Sequence, residues 1–145
     1  MKIEVEKIKD KPISIEESVA AKEWDLNGSD IIFLGNVDLK CQFMRIHEEI
    51  VVDISVSSTR EITCSRCLNK VRKTINQDFK SNHNVNDLGD CLDIDEEVRE
   101  EILLNFPMKA LCQSDCKGIC AGCGINLNLK KCSCNRKIKK TKARV

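Results

Sequence analysis

Six cysteines fall between Leu111 and Cys134, in the stretch LCQSDCKGICAGCGINLNLKKCSC, which contains no histidine. From Cys112 onward the spacing is C-x3-C-x3-C-x2-C-x8-C-x-C. Zinc takes four thiolate or imidazole ligands in a tetrahedron, and a C-x2-C turn delivers two sulfurs to one corner. Cys120-Ala-Gly-Cys123-Gly124 has the small residues that such a turn needs, because glycine reaches positive φ and its amide can point back at a sulfur. Cys132-Ser-Cys134 closes that set from a second turn. Upstream, Cys64-Ser-Arg-Cys67 supplies another C-x2-C pair. The candidate metal ligands are therefore Cys64, Cys67, Cys112, Cys116, Cys120, Cys123, Cys132 and Cys134, enough for two Zn²⁺ sites of four thiolates each. The economical grouping joins Cys64/Cys67 to Cys112/Cys116, but the spacing also allows exchange, for example Cys64/Cys67 with Cys132/Cys134. Cys41 and Cys91 read as ordinary buried or half-buried thiols.

A site filled by four thiolates is closed, so the zinc expected here is structural. Hydrolytic zinc keeps an open position and uses histidine or carboxylate ligands near a general base. The competing chemistry is thiol redox, with Arg66 lowering the pKa of Cys64 or Cys67, or with Cys120/Cys123 as the dithiol. The βαβ pattern that accompanies thioredoxin-like motifs is missing. Cysteines also hold iron–sulfur clusters, although a closing C-x-C gives that reading no particular support. Neither a Walker-type phosphate loop nor G-x-G-x-x-G occurs. His47 and His83 stand without spaced partners and read as structural or surface residues. The sequence points to no catalytic residue, and the protein is expected not to be an enzyme and to take no small-molecule substrate.

The elements that must position these thiols are mostly strands. Ile3 and Val5 alternate with charges. Ser14-Ile-Glu-Glu17 has the form of a capping box and predicts a short helix running through Val19, Ala20 and Trp24. Asn27-Gly28-Ser29-Asp30 is a turn signal, followed by a strand over Ile31–Leu34 with Val37 and Leu39, broken at Gly35-Asn36. Ile50, Val52, Ile54 and Val56 share one face of the clearest strand, which can continue through Ile62 to Cys64. A second strand, Val71 to Phe79, begins just after Cys67, so Cys64 and Cys67 sit at a turn where a metal could staple a hairpin. Residues 81–90, SNHNVNDLGD, read as a polar, mobile loop. LDIDEEVREEILLNFP then predicts an amphipathic helix with Asp95 as N-cap and Pro107 as its stop. Its face of Ile94, Val98, Ile102 and Phe106, with Leu103 beside it, is expected to pack on the sheet. The eight acids from Asp87 to Glu101 are most simply a solvated face.

The expected fold class is α+β: a small, mostly antiparallel β-sheet with a packed helix and a C-terminal zinc-knuckle segment. The division falls at residue 107, with residues 1–107 as the α+β part carrying the Cys64/Cys67 hairpin and residues 108–145 as the cysteine-rich segment and basic tail. With four Phe, one Trp and no Tyr in 145 residues, the core is small enough to need a metal's help.

The net charge of +1 conceals an asymmetry. Residues 1–107 carry 14 Lys and Arg against 22 Asp and Glu, a balance of −8, whereas residues 108–145 carry 10 against one, a balance of +9. Arg136, Lys137, Lys139, Lys140, Lys142 and Arg144 follow the last cysteine with no acid among them, which suits contacts with RNA phosphates. The alternative is a solvated end. Scarce aromatics argue against base stacking there. MKIEVEKIKD carries no apolar leader segment, and no apolar run of the roughly 18 residues needed to span a bilayer occurs. The expectation is a cytoplasmic protein without a membrane partner, in a compartment that keeps thiols reduced.

Three blocks then add up to a resemblance: TCSRCL at 63–68, VREEILLNFP at 98–107, and LCQSDCKGICAGCGINLN with the later CSC. In order and spacing they resemble the YceD family, bacterial proteins named for accumulation of large-subunit ribosomal RNA, with relatives in plastids. The resemblance extends from about Val37 to Cys134. Ala121 departs from it, standing where the knuckle often has proline. The resemblance implies a non-catalytic role in synthesis, processing or stability of 23S ribosomal RNA. Its partners would be that RNA or a pre-large-subunit particle, or a ribosomal protein. A thiol redox protein and a zinc-stabilised protein–protein adaptor are the alternatives.

Overall fold

The structure, a computed structural model, describes residues 1–134. Its strands are β1 (Lys2–Glu4), β2 (Ile13–Ala20), β3 (Ile31–Ile46), β4 (Glu49–Thr63), β5 (Lys70–Asn84) and β6 (Cys91–Asp93). One α-helix follows, α1 (Asp95–Leu104), and short 3-10 turns occupy Val5–Lys7 and Val85–Asp87. β2, β3, β4 and β5 form an antiparallel four-stranded sheet in chain order, while β1 and β6 pair antiparallel as a separate ribbon.

Alternation builds the large sheet. Ile50, Val52, Ile54 and Val56 in β4 are buried, as are Val37, Leu39, Cys41 and Phe43 in β3. The register sets Cys41 opposite Ile54 and Phe43 opposite Val52, so both apolar rows fall on one face. The same hydrophobic cluster contains Ile3, Trp24, Leu26, Leu92, Ile94, Val98 and Ile102. Around α1, the Arg99 Nε donates to the Trp24 carbonyl at 2.7 Å, and the Phe106 ring lies 5.9 Å from that of Phe33.

Several expectations are corrected. Ile13–Ala20 is an edge strand paired from Ile13↔Phe43 to Ala20↔Asn36, not a helix. The capping-box pattern at Ser14 is outweighed by the long unpaired edge that β3 offers. The break expected at Gly35-Asn36 is a register shift between Phe33 and Val37, with Gly35 at φ +81°, and β3 continues through it as one strand. The expected loop at 81–90 is partly strand, since β5 runs to Asn84 and pairs with β4 as far as Glu49. Asp95 is the first helical residue rather than the N-cap. Ile94 occupies the cap, and the Asp93 carboxylate accepts from the Asp95 amide at 3.1 Å. The helix ends at Leu104, before Pro107, where the Asn105 amide bonds back to the Glu101 carbonyl at 3.1 Å.

Among the described residues, no helix is long and apolar enough to cross a membrane.

Candidate metal centres

The β4–β5 hairpin closes through Cys64-Ser-Arg-Cys67-Leu-Asn69. The Cys64 amide donates to the Asn69 carbonyl at 2.9 Å, and the Leu68 amide donates to the Cys64 carbonyl at 2.8 Å. Leu68 takes positive φ, 61°, to make that turn. The same wiring recurs at the second C-x2-C. The Cys120 amide donates to Ile125 at 2.8 Å, the Gly124 amide donates to Cys120 at 2.8 Å, and Gly124 has φ 71°. Two segments with unlike sequences thus form one local structure, in which the paired sulfurs point to the same side of a tight turn.

Each turn meets a second cysteine pair. Cys64, Cys67, Cys112 and Cys116 bring their sulfurs within 4.8 Å of one another, as do Cys120, Cys123, Cys132 and Cys134. Within the first group Cys64 Sγ lies 3.7 Å from Cys116 Sγ, and Cys67 Sγ lies 3.6 Å from Cys112 Sγ. In the second, Cys132 Sγ lies 3.3 Å from both Cys123 Sγ and Cys120 Sγ. Four sulfurs about 2.3 Å from a central zinc would define a tetrahedron with edges of about 3.8 Å. The first group's separations come close to that figure and the second group's are somewhat tighter, and all ten cysteines are free thiols. Both groups could hold a metal ion. The first is largely buried, whereas Cys123 and Cys134 of the second are exposed.

The loop from Ala110 to Gly118 is fastened to the hairpin turn independently of sulfur. The Ser65 amide and hydroxyl both donate to the Ala110 carbonyl, at 2.8 and 3.1 Å, and Arg66 Nη1 donates to the Cys116 carbonyl at 3.0 Å. Gly118, at φ +73°, passes so close that a Cβ there would lie 3.1 Å from the Arg66 carbonyl oxygen.

Asn128, from the loop between Cys123 and Cys132, reaches the first group. Its Nδ2 donates to Cys116 Sγ at 3.2 Å, and its Oδ1 accepts from the Lys117 amide at 2.8 Å. A donor aimed at a ligand sulfur steadies the thiolate. Gly122 and Cys134 amides serve the second group in the same way, toward Cys120 Sγ at 3.4 Å and Cys132 Sγ at 3.2 Å.

Electrostatics divide the thiols within each group. Burial pushes Cys64 up, but the amides of Cys67, Cys112 and Arg66, with the Cys67 thiol, outweigh it and bring Cys64 down to about 6. Cys112 is pushed up to about 12 by burial and by the neighbouring sulfurs of Cys116, Cys67 and Cys64. Amides of Gly122 and Cys123, aided by two thiols, lower Cys120 to about 6. The sulfurs of Cys132 and Cys123 push Cys134 up to about 12. Against its burial, Cys116 is lowered as well, by the Asn128 side chain and the Gly118 amide. Each group thus holds thiols that ionise readily beside others that resist ionisation, and a divalent cation at its centre relieves that repulsion.

Cys41 is wholly buried among apolar residues and is raised to about 11 by that burial, far from either group in chain and chemistry. Cys91 is exposed. His83 is not isolated, contrary to expectation: its Nε2 lies 2.5 Å from Ser81 Oγ and 3.1 Å from Glu97 Oε2, and Ser81 Oγ donates to the same carboxylate at 3.0 Å. Both partners meet one ring nitrogen, which is a triangle rather than a nucleophile–base–orienter relay. Arg136, Lys137, Lys139, Lys140, Lys142 and Arg144 lie outside the described residues.

A family model and several known proteins are similar to parts of this chain. The model of the family described as large ribosomal RNA subunit accumulation protein YceD matches residues 81–144. Two plant proteins, each named large ribosomal RNA subunit accumulation protein YCED homolog 1, chloroplastic, are similar to the chain. The Arabidopsis thaliana protein is 44% identical over 48 residues, covering 33% of the chain and 15% of the relative. The Zea mays protein is 41% identical over 44 residues, or 30% of the chain and 15% of the relative. An uncharacterized protein of Mycobacterium leprae is 25% identical over 107 residues, covering 63% of the chain and 48% of that protein. The chain therefore spans less than half the length of each of these relatives. No solved structure matches. The YceD segment contains six of the eight clustered cysteines and the whole of α1.

Proposed function

We propose that this chain is a non-catalytic factor in accumulation of the large-subunit ribosomal RNA, the 23S species, working in the cytoplasm on that RNA or on a pre-large-subunit particle. The observation that carries the reading is the coincidence of the YceD segment with the cysteine-bearing loops. In this reading the eight clustered cysteines hold two structural Zn²⁺ ions. The all-sulfur donor set and the near-tetrahedral separations support zinc over harder cations. When bound, each ion supplies a cross-link, the first between the sheet hairpin and the segment after α1, the second within residues 120–134. Residues 1–107 then form the α+β part and residues 108–145 the metal-bearing segment, with the basic residues from Arg136 to Arg144 contacting RNA phosphates.

The test is an rRNA and particle profile of cells lacking the protein. Mature 23S rRNA and complete large subunits should fall, with 16S rRNA less affected, and the intact gene should restore both. Unchanged 23S rRNA and subunit ratios in the deletion strain would overturn the reading. A thiol redox protein or a protein-only adaptor would then be the better account.

A further inference from the structure

The inward face of β4 is apolar from Ile50 to Val56 and then changes character. Ser58 and Arg60 continue the same face, and Arg60 is only 1% exposed. Its guanidinium lies over two rings, 4.5 Å from the Phe33 centroid and 5.4 Å from that of Phe106. Nε donates to Ser58 Oγ and Nη2 to Gln77 Oε1, each at 3.1 Å. A guanidinium carries five N–H groups, so these two bonds leave part of the fork without an acceptor. Among the described residues no carboxylate pairs with it; the adjacent Glu61 pairs instead with Lys70 and Arg72. A buried charge without a counter-ion is costly even when aromatic faces and neutral acceptors surround it.

Arg60 lines a cavity of about 270 Å³ together with Lys73, Lys109, Gln113 and Ser114, and no acid is among the lining residues. Lys73 stands directly across from Arg60 in the β4–β5 register, and like charges so placed destabilise a strand pair. Lys73 Nζ donates to the Leu111 carbonyl at 3.1 Å, which fixes the ammonium beside the cavity without neutralising it. Three cations thus line one cavity, two of them, Arg60 and Lys73, from residues 1–107, whose overall balance is −8, and Lys109 from the basic segment that follows.

We propose that this cavity is an anion site that takes a backbone phosphate of a single-stranded RNA. The inference rests on the RNA reading given above and places the contact on the sheet rather than on the basic tail alone. The Arg60 N–H groups that Ser58 and Gln77 do not use border the cavity and would suit a phosphate's oxygens once it is occupied. Lys73 adds a second charge to the same group, and the exposed Lys109 serves the adjoining phosphate of the strand. Ile62, Ile75 and Leu111 give the cavity apolar walls, which suit the sugar beside a bound phosphate. An isolated carboxylate would neutralise one of the three cations, whereas a strand brings successive charges to all of them. Leu111, Gln113 and Ser114 flank or follow Cys112, so the first cysteine group holds one wall of the site in place.

The test uses the full chain as purified, with three probes: an unstructured oligoribonucleotide, an acidic peptide of equal charge, and inorganic phosphate. The Arg60 Nε–H resonance reports occupancy, and binding is titrated against salt. Because Arg60 is buried and its replacement threatens folding, Lys73→Gln and Lys109→Gln carry the affinity measurement. The oligoribonucleotide should shift the Arg60 resonance. Each lysine substitution should weaken binding several-fold and reduce the slope of log affinity against log salt by about 0.7, the contribution of one phosphate on a single strand. An unmoved Arg60 resonance, with both lysine variants binding like the parent, would overturn the site. If RNA still binds in that case, the RNA reading survives on another surface. A shift produced by the peptide or by phosphate but not by the oligoribonucleotide would overturn the proposal in favour of a protein or small-phosphate ligand.

Discussion

Individual cysteines differ in what they can be expected to do. Cys67→Ser should release about one metal ion and Cys123→Ser the other, because their sulfurs belong to separate groups. Metal analysis of the two single variants and of the double variant checks this; loss of everything from either single change would contradict the partition. Cys41→Ser and Cys91→Ser should leave the metal content unchanged. Asn128 is a finer probe. Asn128→Ala removes the donor to Cys116 Sγ and should weaken metal retention at the first group by roughly 10–100-fold in a chelator competition. Neither Asn128 nor Arg60 was legible as important. Asn128 is one asparagine in a polar loop, and its role depends on a sulfur 12 residues away. Arg60 had a usable signal: it keeps the inward parity of Ile54 and Val56, so the alternation itself marks it as buried.

At the scale of elements, the two C-x2-C turns make one structure with different residues at the left-handed position. Gly124 adopts φ 71° freely, but Leu68 at φ 61° holds a conformation that costs a side-chain-bearing residue about 1–2 kcal/mol. Gly124→Ala should therefore destabilise the second turn by about 1 kcal/mol. Leu68→Gly, which removes an exposed side chain, should be neutral or stabilising after its unfolded-state entropy is offset. Thermal unfolding of both variants checks the pair, and equal losses from both would contradict the equivalence of the turns. The β4–β5 hairpin and α1 were readable because their apolar periods, two and 3.6, are local properties. β2 was misread because Ser14-x-x-Glu17 satisfies a helix-start rule, while the residues of β3 that pair with Ser14 and Glu17, Gln42 and Leu39, lie well over a helix's length further along the chain. The grouping of the thiols depends on the same long-range geometry, which is why spacing alone left it open.

For the whole molecule, cysteine protonation couples metal to fold. Although the Asn69 amide acts against it, burial and the Cys64 thiol hold Cys67 above its ordinary value, and Cys112 is raised to about 12. Binding a dication must displace at least these two protons from the first group at neutral pH, so log affinity should rise with pH, with a slope of about two or more. Acid has the opposite effect: protons compete for the sulfurs, and because a bound dication lowers their proton affinity, metal and stability should be lost together only below the value of about 6 that Cys64 has without the ion. Following metal release and unfolding on one acid titration checks the sign. A fold that persists unchanged after release would mean the thiols contribute little.

Zinc in sites of this kind contributes on the order of 10–16 kcal/mol to folding, more than the total stability of most domains. The most direct measurement is therefore element analysis of the protein purified without added metal, made alongside its unfolding curve before and after chelation. Two structural four-thiolate sites require about two zinc and no iron per chain, with cooperative folding of the carboxy-terminal segment lost when zinc is withdrawn. A zinc content near zero, with readily titrated thiols and an unchanged unfolding curve, would contradict the account.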